Sequence, residues 1–281
     1  MLKKSFVDET FDYNMTSHYE LSIQLSLDGF SFLVYDVTRN KFIACQLHPL
    51  GNEEKQDRGA ALKHLLAQSE LAKHSYKKVD VINQSNRYTL VPHTHVDEQQ
   101  LKDYFCFNHT LGEAEELHAS SLLQYGAVVV HAVSSNLTNI LRQYFPKFQI
   151  THQTLPFIKR IELAAKNEVL LGVNAMSGQM DLALLDETKQ QLKFIKSTPY
   201  KTTDDVLYWL LATIQQQGLK PSTPLLINGG FSTPGVKEAI RRESINAKWL
   251  SEQSNDYTMS YQFHQIPLKS IANQLNLVHC E

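Results

Sequence analysis

A pattern of three short strands followed by a helix occurs twice in this sequence, about half a chain length apart. In the first copy, Leu21–Leu27 alternates apolar and polar residues, which predicts a half-buried strand. Asp28-Gly29 is a strong turn pair, so Phe30–Val37 is predicted to return as the second strand of a hairpin. Phe42–Leu47 is the third predicted strand, and these strands together form a meander.

The second copy follows the same scheme. Val169–Val173 and Met180–Leu185 are predicted strands joined by a turn at Ser177-Gly178, and Gln191–Ile195 is the third strand. A helix over Thr203–Gln217 then matches the helix that apolar spacing predicts after the first meander. A repeated unit of this kind predicts a chain built from two similar α/β halves.

The remaining segments complete both halves. Further predicted elements are strands at Val79–Asn83, Tyr88–Val91, Gly126–Val133, Leu225–Asn228 and Tyr261–Ile266, and helices at Arg58–His74, Asp97–Phe107, Ser135–Tyr144, Gly235–Arg242 and Leu268–Leu275. We place the boundary between the halves after residue 160, giving domains 1–160 and 161–281. Halves of this size are long enough to bury a hydrophobic core each.

Composition excludes several classes of function. With 27 basic and 29 acidic residues the formal net charge is −2, which gives no electrostatic footprint for nucleic acid. The apolar stretches are far shorter than the roughly 20 residues of a membrane helix, so membrane insertion is not expected. The start of the sequence lacks the apolar region of a secretory signal. Three widely spaced cysteines, Cys45, Cys106 and Cys280, are expected to be reduced thiols, which indicates a cytoplasmic protein.

Three motifs carry a resemblance to known proteins, namely LSIQLSLDGFSFLVYD, GVNAMSGQMDLALLD and LLINGGFST. A meander followed by helix, strand and helix resembles the ribonuclease-H-like unit, and two such units in one chain resemble the actin-like ATPase superfamily. Over its whole length the chain resembles an uncharacterised bacterial family known as a domain of unknown function. The resemblance implies an α/β fold of two ribonuclease-H-like halves in the actin-like ATPase architecture, and no established activity.

The resemblance also implies where a ligand would bind. Members that use ATP hold the triphosphate with a phosphate loop from each half, and a glycine-rich loop approaches the adenosine. Backbone can approach phosphate closely only where glycine removes the side chain, and backbone amides and hydroxyls then supply donors. The implied cofactor is ATP with Mg²⁺. The candidate cofactor-binding residues are Asp28, Gly29, Ser31, Ser177, Gly178, Gly229 and Gly230.

The candidate loops depart from the superfamily pattern. In the first loop, Gly29 follows the acid directly and Phe30 stands where a small residue usually approaches phosphate. The second loop has Asn174 in place of the other metal-positioning carboxylate, and Asp181 lies further on, where we expect its side chain to face solvent. Plain hairpin turns therefore remain an alternative for both loops.

The third loop is the best match to the superfamily. It is a strand ending in Gly229-Gly230, and these glycines are expected to open a helix whose N-terminus favours anions. Simple close packing at a strand-to-helix corner remains the alternative for the paired glycines.

Other side-chain combinations give weaker hypotheses. His93 and His95 with Asp97 could approach a metal, but a polar surface loop explains them better. No nucleophile elbow supports a triad of Ser135, His131 and Asp28. A nuclease would need clustered carboxylates that hold two metal ions. The candidates lie in separate halves, and they are Asp28, Asp36, Asp181 and Asp186. Of these, Asp36 and Asp186 fall at turns and are expected to be solvated. No catalytic or metal-binding residue is assigned.

Two functional hypotheses follow. The first is a non-catalytic binding or scaffold protein on a degenerate actin-like ATPase fold, with an unidentified protein partner. The second is an ATP-binding protein or slow ATPase. The sequence leaves open whether the protein is an enzyme.

Overall fold

A computed structural model of the protein describes residues 4–165, 169–186, 191–220, 222–243, 245–249 and 257–280. The chain forms two compact units: the first comprises Met1–Gln153 and Ser254–Pro267, and the second comprises Thr154–Gln253 and Leu268–Glu281. The expected boundary after residue 160 lies inside a helix, Thr154–Ala164, that belongs to the second unit.

The strands, in chain order, are β1 (Lys4–Val7), β2 (Tyr19–Ser26), β3 (Gly29–Asp36), β4 (Lys41–Pro49), β5 (Lys78–Asn83), β6 (Tyr88–Pro92), β7 (Glu115–Leu122), β8 (Ala127–Ser134), β9 (Gln149–His152), β10 (Leu170–Ala175), β11 (Gln179–Leu185), β12 (Leu192–Pro199), β13 (Leu225–Gly229), β14 (Ala247–Trp249) and β15 (Thr258–Met259). The α-helices are α1 (Asn52–Gln56), α2 (Arg58–Gln68), α3 (Leu101–Cys106), α4 (Ser135–Tyr144), α5 (Thr154–Ala164), α6 (Thr203–Gln216), α7 (Val236–Arg242) and α8 (Ala272–Leu277).

The two units share one sheet topology. In the first unit the strands are ordered β4-β3-β2-β5-β9, and β1 and β15 both add to β4. In the second unit the order is β12-β11-β10-β13-β14. In both sheets the three strands of the meander are antiparallel. The next two strands extend the sheet on the other side of the first meander strand, and they run parallel to it. The prediction of two similar α/β halves is confirmed.

Apolar side chains on alternate strand positions form the cores. In the first unit Ile23 and Phe32 pack with Leu62 of α2 and Leu141 of α4. Phe30 belongs to the same core and is 2% exposed, so its ring lies in the protein interior. Burying each such side chain stabilises the folded protein by about 1.5–3 kcal/mol relative to leaving it exposed.

Asp36 was expected to be a solvated turn residue, and that expectation is wrong. Its side chain is buried because its carboxylate closes the β3–β4 turn. Oδ1 accepts a hydrogen bond from the Arg39 backbone N–H at 3.1 Å, and Oδ2 lies 3.5 Å from the Arg39 guanidinium. The other turn acid, Asp186, is half-buried, and its Oδ1 accepts from the Gln191 backbone N–H at 3.3 Å.

A small antiparallel sheet in the first unit, ordered β6-β8-β7, includes a strand that the sequence did not predict. Strand β7 pairs with β8 along its whole length, from Glu115 opposite Ser134 to Leu122 opposite Ala127. Its sequence, EELHASSL, contains few apolar residues, and β8 supplies the ladder that keeps it extended. Arg87 fixes the start of β7 through an ion pair with Glu115.

The strand predicted over Tyr261–Ile266 is also wrong, because Tyr261–Gln265 forms a 3₁₀-helix. Phe263 and Ile266 are the buried residues of this segment, and they lie three apart, which matches three residues per turn. The hydroxyl of Ser260 caps the helix by accepting a hydrogen bond from the Gln262 backbone N–H at 3.3 Å.

Two fully buried histidines lie beside each other in the first unit. His131 Nδ1 is 3.2 Å from the Asn83 side-chain amide, and His152 Nε2 is 2.9 Å from the Ser85 carbonyl oxygen. Because the amide donates and the carbonyl accepts, both contacts suit neutral imidazoles. Burial lowers the pKa of His131 well below its usual value and that of His152 to about 3.

We expect the free energy of unfolding to fall as the pH decreases below about 6.5. Unfolded imidazoles bind protons near pH 6.5, whereas His152 stays neutral in the folded protein down to about pH 3. The unfolded state therefore binds more protons throughout this window. Urea unfolding between pH 7.5 and 5 measures the slope, which His152→Gln should reduce. The matched control is His93→Gln at an exposed position; equal slopes in both variants would contradict the prediction.

Candidate functional site

The first candidate loop is the turn between β2 and β3. Asp28 is half-buried at this turn, and the Ser26 hydroxyl lies 2.8 Å from Asp28 Oδ1 and 2.8 Å from the Gly29 carbonyl oxygen. A Cβ at Gly29 would lie 2.7 Å from the His48 carbonyl oxygen on β4. Packing between strands therefore explains this glycine without a ligand. Ser31 is buried within β3.

A guanidinium group lies against this loop. Arg58, the first residue of α2, donates a hydrogen bond from Nη2 to the Ser26 carbonyl oxygen at 2.8 Å. Its guanidinium carbon is 5.7 Å from the centre of the Phe30 ring, within the range of a cation–π interaction. Burial lowers the pKa of Arg58, and the charge of Asp28 opposes that shift. The charge of Asp28 is thus partly balanced by a cation of the protein itself.

In the second unit, polar side chains form a row across four neighbouring strands. Asn174 of β10 lies opposite Asp181 of β11 and also opposite Asn228 of β13. Asp181 in turn lies opposite Ser197 of β12. Residues in such cross-strand positions have neighbouring side chains on one face of the sheet.

Hydrogen bonds connect the row without a break. Asn174 Nδ2 donates to Asp181 Oδ2 at 3.0 Å, and the Ser197 hydroxyl donates to Asp181 Oδ1. Asn228 Nδ2 donates to Asn174 Oδ1 at 3.0 Å. Both oxygens of the carboxylate and both ends of the Asn174 amide are therefore used inside the protein.

Helix α8 extends the row with two further amides. Asn228 Nδ2 also lies 3.1 Å from Asn273 Oδ1, and Asn276 Nδ2 donates to Asn228 Oδ1 at 3.1 Å. We call the six residues the amide row: Ser197, Asp181, Asn174, Asn228, Asn273 and Asn276.

Asn174 is 1% exposed and Asp181 is 0% exposed, so the expectation that Asp181 faces solvent is wrong. The hairpin register turns its side chain towards Asn174.

The burial of Asp181 has a chemical consequence. A carboxylate that positions Mg²⁺ through water must present an oxygen to solvent or ligand. Asp181 presents neither oxygen, and the residue at the expected position of the second acid is a neutral amide. Asn174 and Asp181 thus act as structural groups that hold neighbouring strands and α8 together.

The third candidate loop follows β13. Gly229 has φ +78°, and a Cβ there would lie 2.4 Å from the Ala175 carbonyl oxygen. That same oxygen accepts a hydrogen bond from the Gly230 backbone N–H at 3.1 Å. A Cβ at Gly230 would meet the side chain of Lys269 at 2.5 Å. Close backbone packing alone therefore requires glycine at position 229.

A helix was predicted over Gly235–Arg242 after the paired glycines, and α7 over Val236–Arg242 agrees with that prediction. Phe231 to Gly235 intervene before α7, and Gly235 itself has φ +80°. Phe231 is largely buried and packs in the core of the second unit, which pulls the chain inward before the helix begins.

Tyr200 joins the second and third loops, although the sequence did not single it out. Its hydroxyl donates to the Met176 carbonyl oxygen and accepts from the Ser232 backbone N–H at 3.0 Å. Beside it, Ser177 is exposed, and Gly178 has φ +71° with open space where a Cβ would lie. Of the candidate residues in the second unit, these two present the most accessible surface.

The paired histidines were a weaker hypothesis for a metal site. His93 and His95 lie in an exposed 3₁₀-turn, His93–His95. Among the residues that the structure describes, no three His, Cys, Asp or Glu side chains are placed to hold a metal ion. None of the described helices has both the length and the apolar character needed to cross a membrane.

Solved structures show the fold. A protein of unknown function from Bacteroides thetaiotaomicron with an actin-like ATPase fold superposes with a TM-score of 0.80 at 20% identity, covering 97% of this chain and all of that one. The PilM-PilN type IV pilus biogenesis complex gives a TM-score of 0.56 at 13% identity, covering 93% and 98% of the two chains. The chain therefore has the actin-like ATPase fold.

Comparison of the amino-acid sequence identifies one family. No curated protein is similar enough to count as a match. Residues 8–237 match a family whose description is "Protein of unknown function (DUF3822)", and this match spans most of the chain. The chain belongs to this family.

Proposed function

We propose that the protein is a non-catalytic binding or scaffold protein on an actin-like ATPase fold. The observation that carries the proposal is the amide row, in which Asn174 replaces an acid and is held on both sides by hydrogen bonds. Releasing it would leave buried polar groups unsatisfied, at a cost of about 1–3 kcal/mol for each group. Asn174 is therefore fixed in a role that does not serve metal-dependent hydrolysis.

The first loop supports the same proposal. The Phe30 ring lies in the core, and Arg58 contributes a positive charge beside Asp28. A hydrolytic site would need the field of that carboxylate for a hydrated metal ion. The arrangement instead stabilises the turn between β2 and β3.

A function in binding another protein is consistent with this fold. The PilM-PilN complex includes a structure with this fold, which gives a precedent for assembly with another protein. We also propose that the protein is cytoplasmic, because Cys45, Cys106 and Cys280 form no disulfide and Cys45 is buried.

We expect purified protein to release no phosphate from ATP in the presence of Mg²⁺. A coupled phosphate assay over several hours, with Asp28→Ala as the matched variant, measures any turnover. Steady, Mg²⁺-dependent hydrolysis by the original protein that disappears in Asp28→Ala would overturn the proposal. A trace of phosphate release that is equal in both proteins would come from a contaminating enzyme and would not contradict the proposal.

The second candidate function is adenine nucleotide binding without hydrolysis. The observation in its favour is the accessible hairpin at Ser177 and Gly178, where a phosphate could approach backbone N–H groups. The candidate residues for this function are Asp28, Gly29 and Ser31 in the first unit and Ser177, Gly178, Gly229 and Gly230 in the second, and the proposed ligands are ATP and Mg²⁺.

Gly178→Asn tests this second function. Asparagine tolerates positive φ, and its side chain would occupy open space, so the fold should be retained. Calorimetric titration with ATP, with and without Mg²⁺, compares this variant with the original protein. Binding that weakens tenfold or more would support a site at the hairpin, whereas the same affinity in both proteins would remove Gly178 from it.

A further inference from the structure

A cavity of about 440 Å³ lies at one end of the large sheet in the first unit. The neighbouring parallel strands β5 and β9 begin at its wall, and β7 and the last turn of α4 complete it. Strand β2 runs parallel to β5 and reaches the turn at Asp28 at its carboxyl end. The cavity and the first candidate loop therefore lie at opposite ends of these strands and are separate features.

The lysine and arginine side chains of the lining all belong to one sign of charge, and they are Lys77, Lys78, Arg142 and Lys147. No acidic side chain of the described residues shares the lining. A concave surface that carries one sign of charge raises the local concentration of the opposite ion. We call it the basic cavity, and its charge favours an anionic ligand.

The three lysines keep donors for such a ligand. Lys78 Nζ lies 2.9 Å from Asp80, and Lys77 Nζ lies 3.3 Å from Glu20. An ammonium group has three donors, so one ion pair does not exhaust it. Lys147 is exposed, and its ammonium group makes no hydrogen bond or ion pair with the part of the chain that the structure describes. Its charge is the one that remains in excess.

Arg142, in contrast, is committed within the protein. Its Nη2 donates to Glu116 Oε1 at 3.0 Å, and its Nη1 donates to Asn139 Oδ1 at 2.9 Å. The same Glu116 oxygen lies 2.9 Å from His118 Nε2. These contacts, together with a position in the last turn of α4, explain Arg142 without a ligand.

This difference selects between kinds of anion. A carboxylate is bound best by the two parallel N–H groups of an arginine, and both terminal nitrogens of Arg142 already have partners. The available donors are ammonium groups from separate segments, before β5 and before β9. A phosphate presents three oxygens in different directions and can accept from several such point charges. The donors therefore fit a phosphate better than a carboxylate.

The rest of the lining includes an apolar wall formed by Val79, Pro146, Phe148 and Ile150. Val79 is buried in the core of the first unit, and Phe148 and Ile150 pack against that core. Such packing holds the wall in place. Sites for small molecules have volumes of roughly 300–1,000 Å³ and combine apolar walls with a few polar groups. A ligand that fits this lining carries an apolar group beside its anion.

We propose that the basic cavity binds a phosphomonoester with an apolar group, such as an aryl phosphate. Its phosphate accepts hydrogen bonds from Lys147 and from the lysines before β5, and its apolar group contacts Phe148 and Ile150. The inference goes beyond the proposed function, because neither a scaffold role nor nucleotide binding at the candidate loops gives this cavity a ligand. It stands or falls independently of ATP hydrolysis.

Calorimetric titration of the full chain tests the proposal with phenyl phosphate as the probe. Inorganic phosphate lacks the apolar group, and benzoate replaces the phosphate by a carboxylate. A phosphotyrosine pentapeptide presents the same aryl phosphate on a peptide, so it distinguishes a free compound from a phosphorylated protein as its source. Amide resonances of residues 77–79 and 147–150, observed by NMR, report whether the ligand binds at the cavity.

We expect phenyl phosphate to shift these resonances and to bind about tenfold more tightly than inorganic phosphate, because the apolar wall buries its ring. It should also bind more tightly than benzoate. A peptide that binds as tightly as phenyl phosphate would identify a phosphorylated protein as the source, and a weaker peptide would identify a free compound. Both of these results support the phosphomonoester chemistry.

Charge reversal provides the decisive comparison. Lys147→Glu should weaken phenyl phosphate about tenfold or more, because repulsion replaces attraction at an exposed position. Lys55→Glu, at an exposed position on α1, is the matched control and should leave the affinity unchanged. Absence of binding, equal losses in the two variants, benzoate that binds as tightly as phenyl phosphate, or shifts confined to residues 28–31 would each overturn the proposal.

Discussion

Gly229→Ala should lower the free energy of unfolding by about 2–5 kcal/mol. A non-glycine residue at φ +78° costs about 1–2 kcal/mol. In addition, its Cβ would lie 2.4 Å from the Ala175 carbonyl oxygen, and a backbone atom of a paired strand cannot move away as a flexible side chain would. Forcing β13 away from β10 adds about 1–3 kcal/mol.

Gly178→Ala is the matched control for this substitution. Its φ is +71°, close to that of Gly229, but a Cβ there meets open space. Urea unfolding of both variants therefore separates the backbone strain from the close contact. We expect the control to lose only about 1–2 kcal/mol. Equal losses would show that the contact with Ala175 relaxes freely.

The result also bears on nucleotide binding. A bulkier residue at position 229 would damage the sheet whether or not a nucleotide binds. Loss of ATP binding in such a variant would thus carry no information about a ligand, whereas the Gly178 hairpin can be altered without that complication.

Asp181→Ala should destabilise the protein by about 3–5 kcal/mol. The substitution leaves the Asn174 amide and the Ser197 hydroxyl without their acceptor in a fully buried position and creates a small cavity. Chemical unfolding followed by circular dichroism measures the loss.

Asp181→Asn separates the charge from the hydrogen bonds. Its carbonyl oxygen can accept from Asn174, and its amide can donate to Ser197, because a hydroxyl both donates and accepts. We expect this variant to remain within about 1 kcal/mol of the original protein. If alanine and asparagine were equally damaging, the charge of Asp181 rather than its hydrogen bonds would stabilise the row.

Part of the amide row was accessible from the sequence. The turn at Ser177-Gly178 was predicted, and a two-residue hairpin sets the register of its strands. That register places Asn174 opposite Asp181, as the structure shows. The expectation that Asp181 faces solvent considered its own strand and neglected the residue across from it. An acid in a strand of otherwise apolar residues, QMDLALL, was the available signal.

Other parts depend on contacts between distant segments. Asn273 and Asn276 come from α8, and their contacts with Asn228 follow from where that helix packs. Tyr200 likewise contacts Ser232 across a long stretch of chain. Local patterns predicted the meanders and most of their helices because alternation and helical spacing are properties of short windows. They could not predict β7, whose extended form depends on pairing with β8.

Strand β15 has a consequence for the synthesis of the chain. Thr258 pairs with Lys41, Met259 pairs with Phe42, and Tyr257 packs against Phe42 with ring centres 4.9 Å apart. On a ribosome, β4 emerges long before β15, so the first unit cannot complete its sheet until residue 259 has been translated. The two halves of the repeat are thus linked during translation: a gene cut between them would encode a first half that lacks one of its own strands.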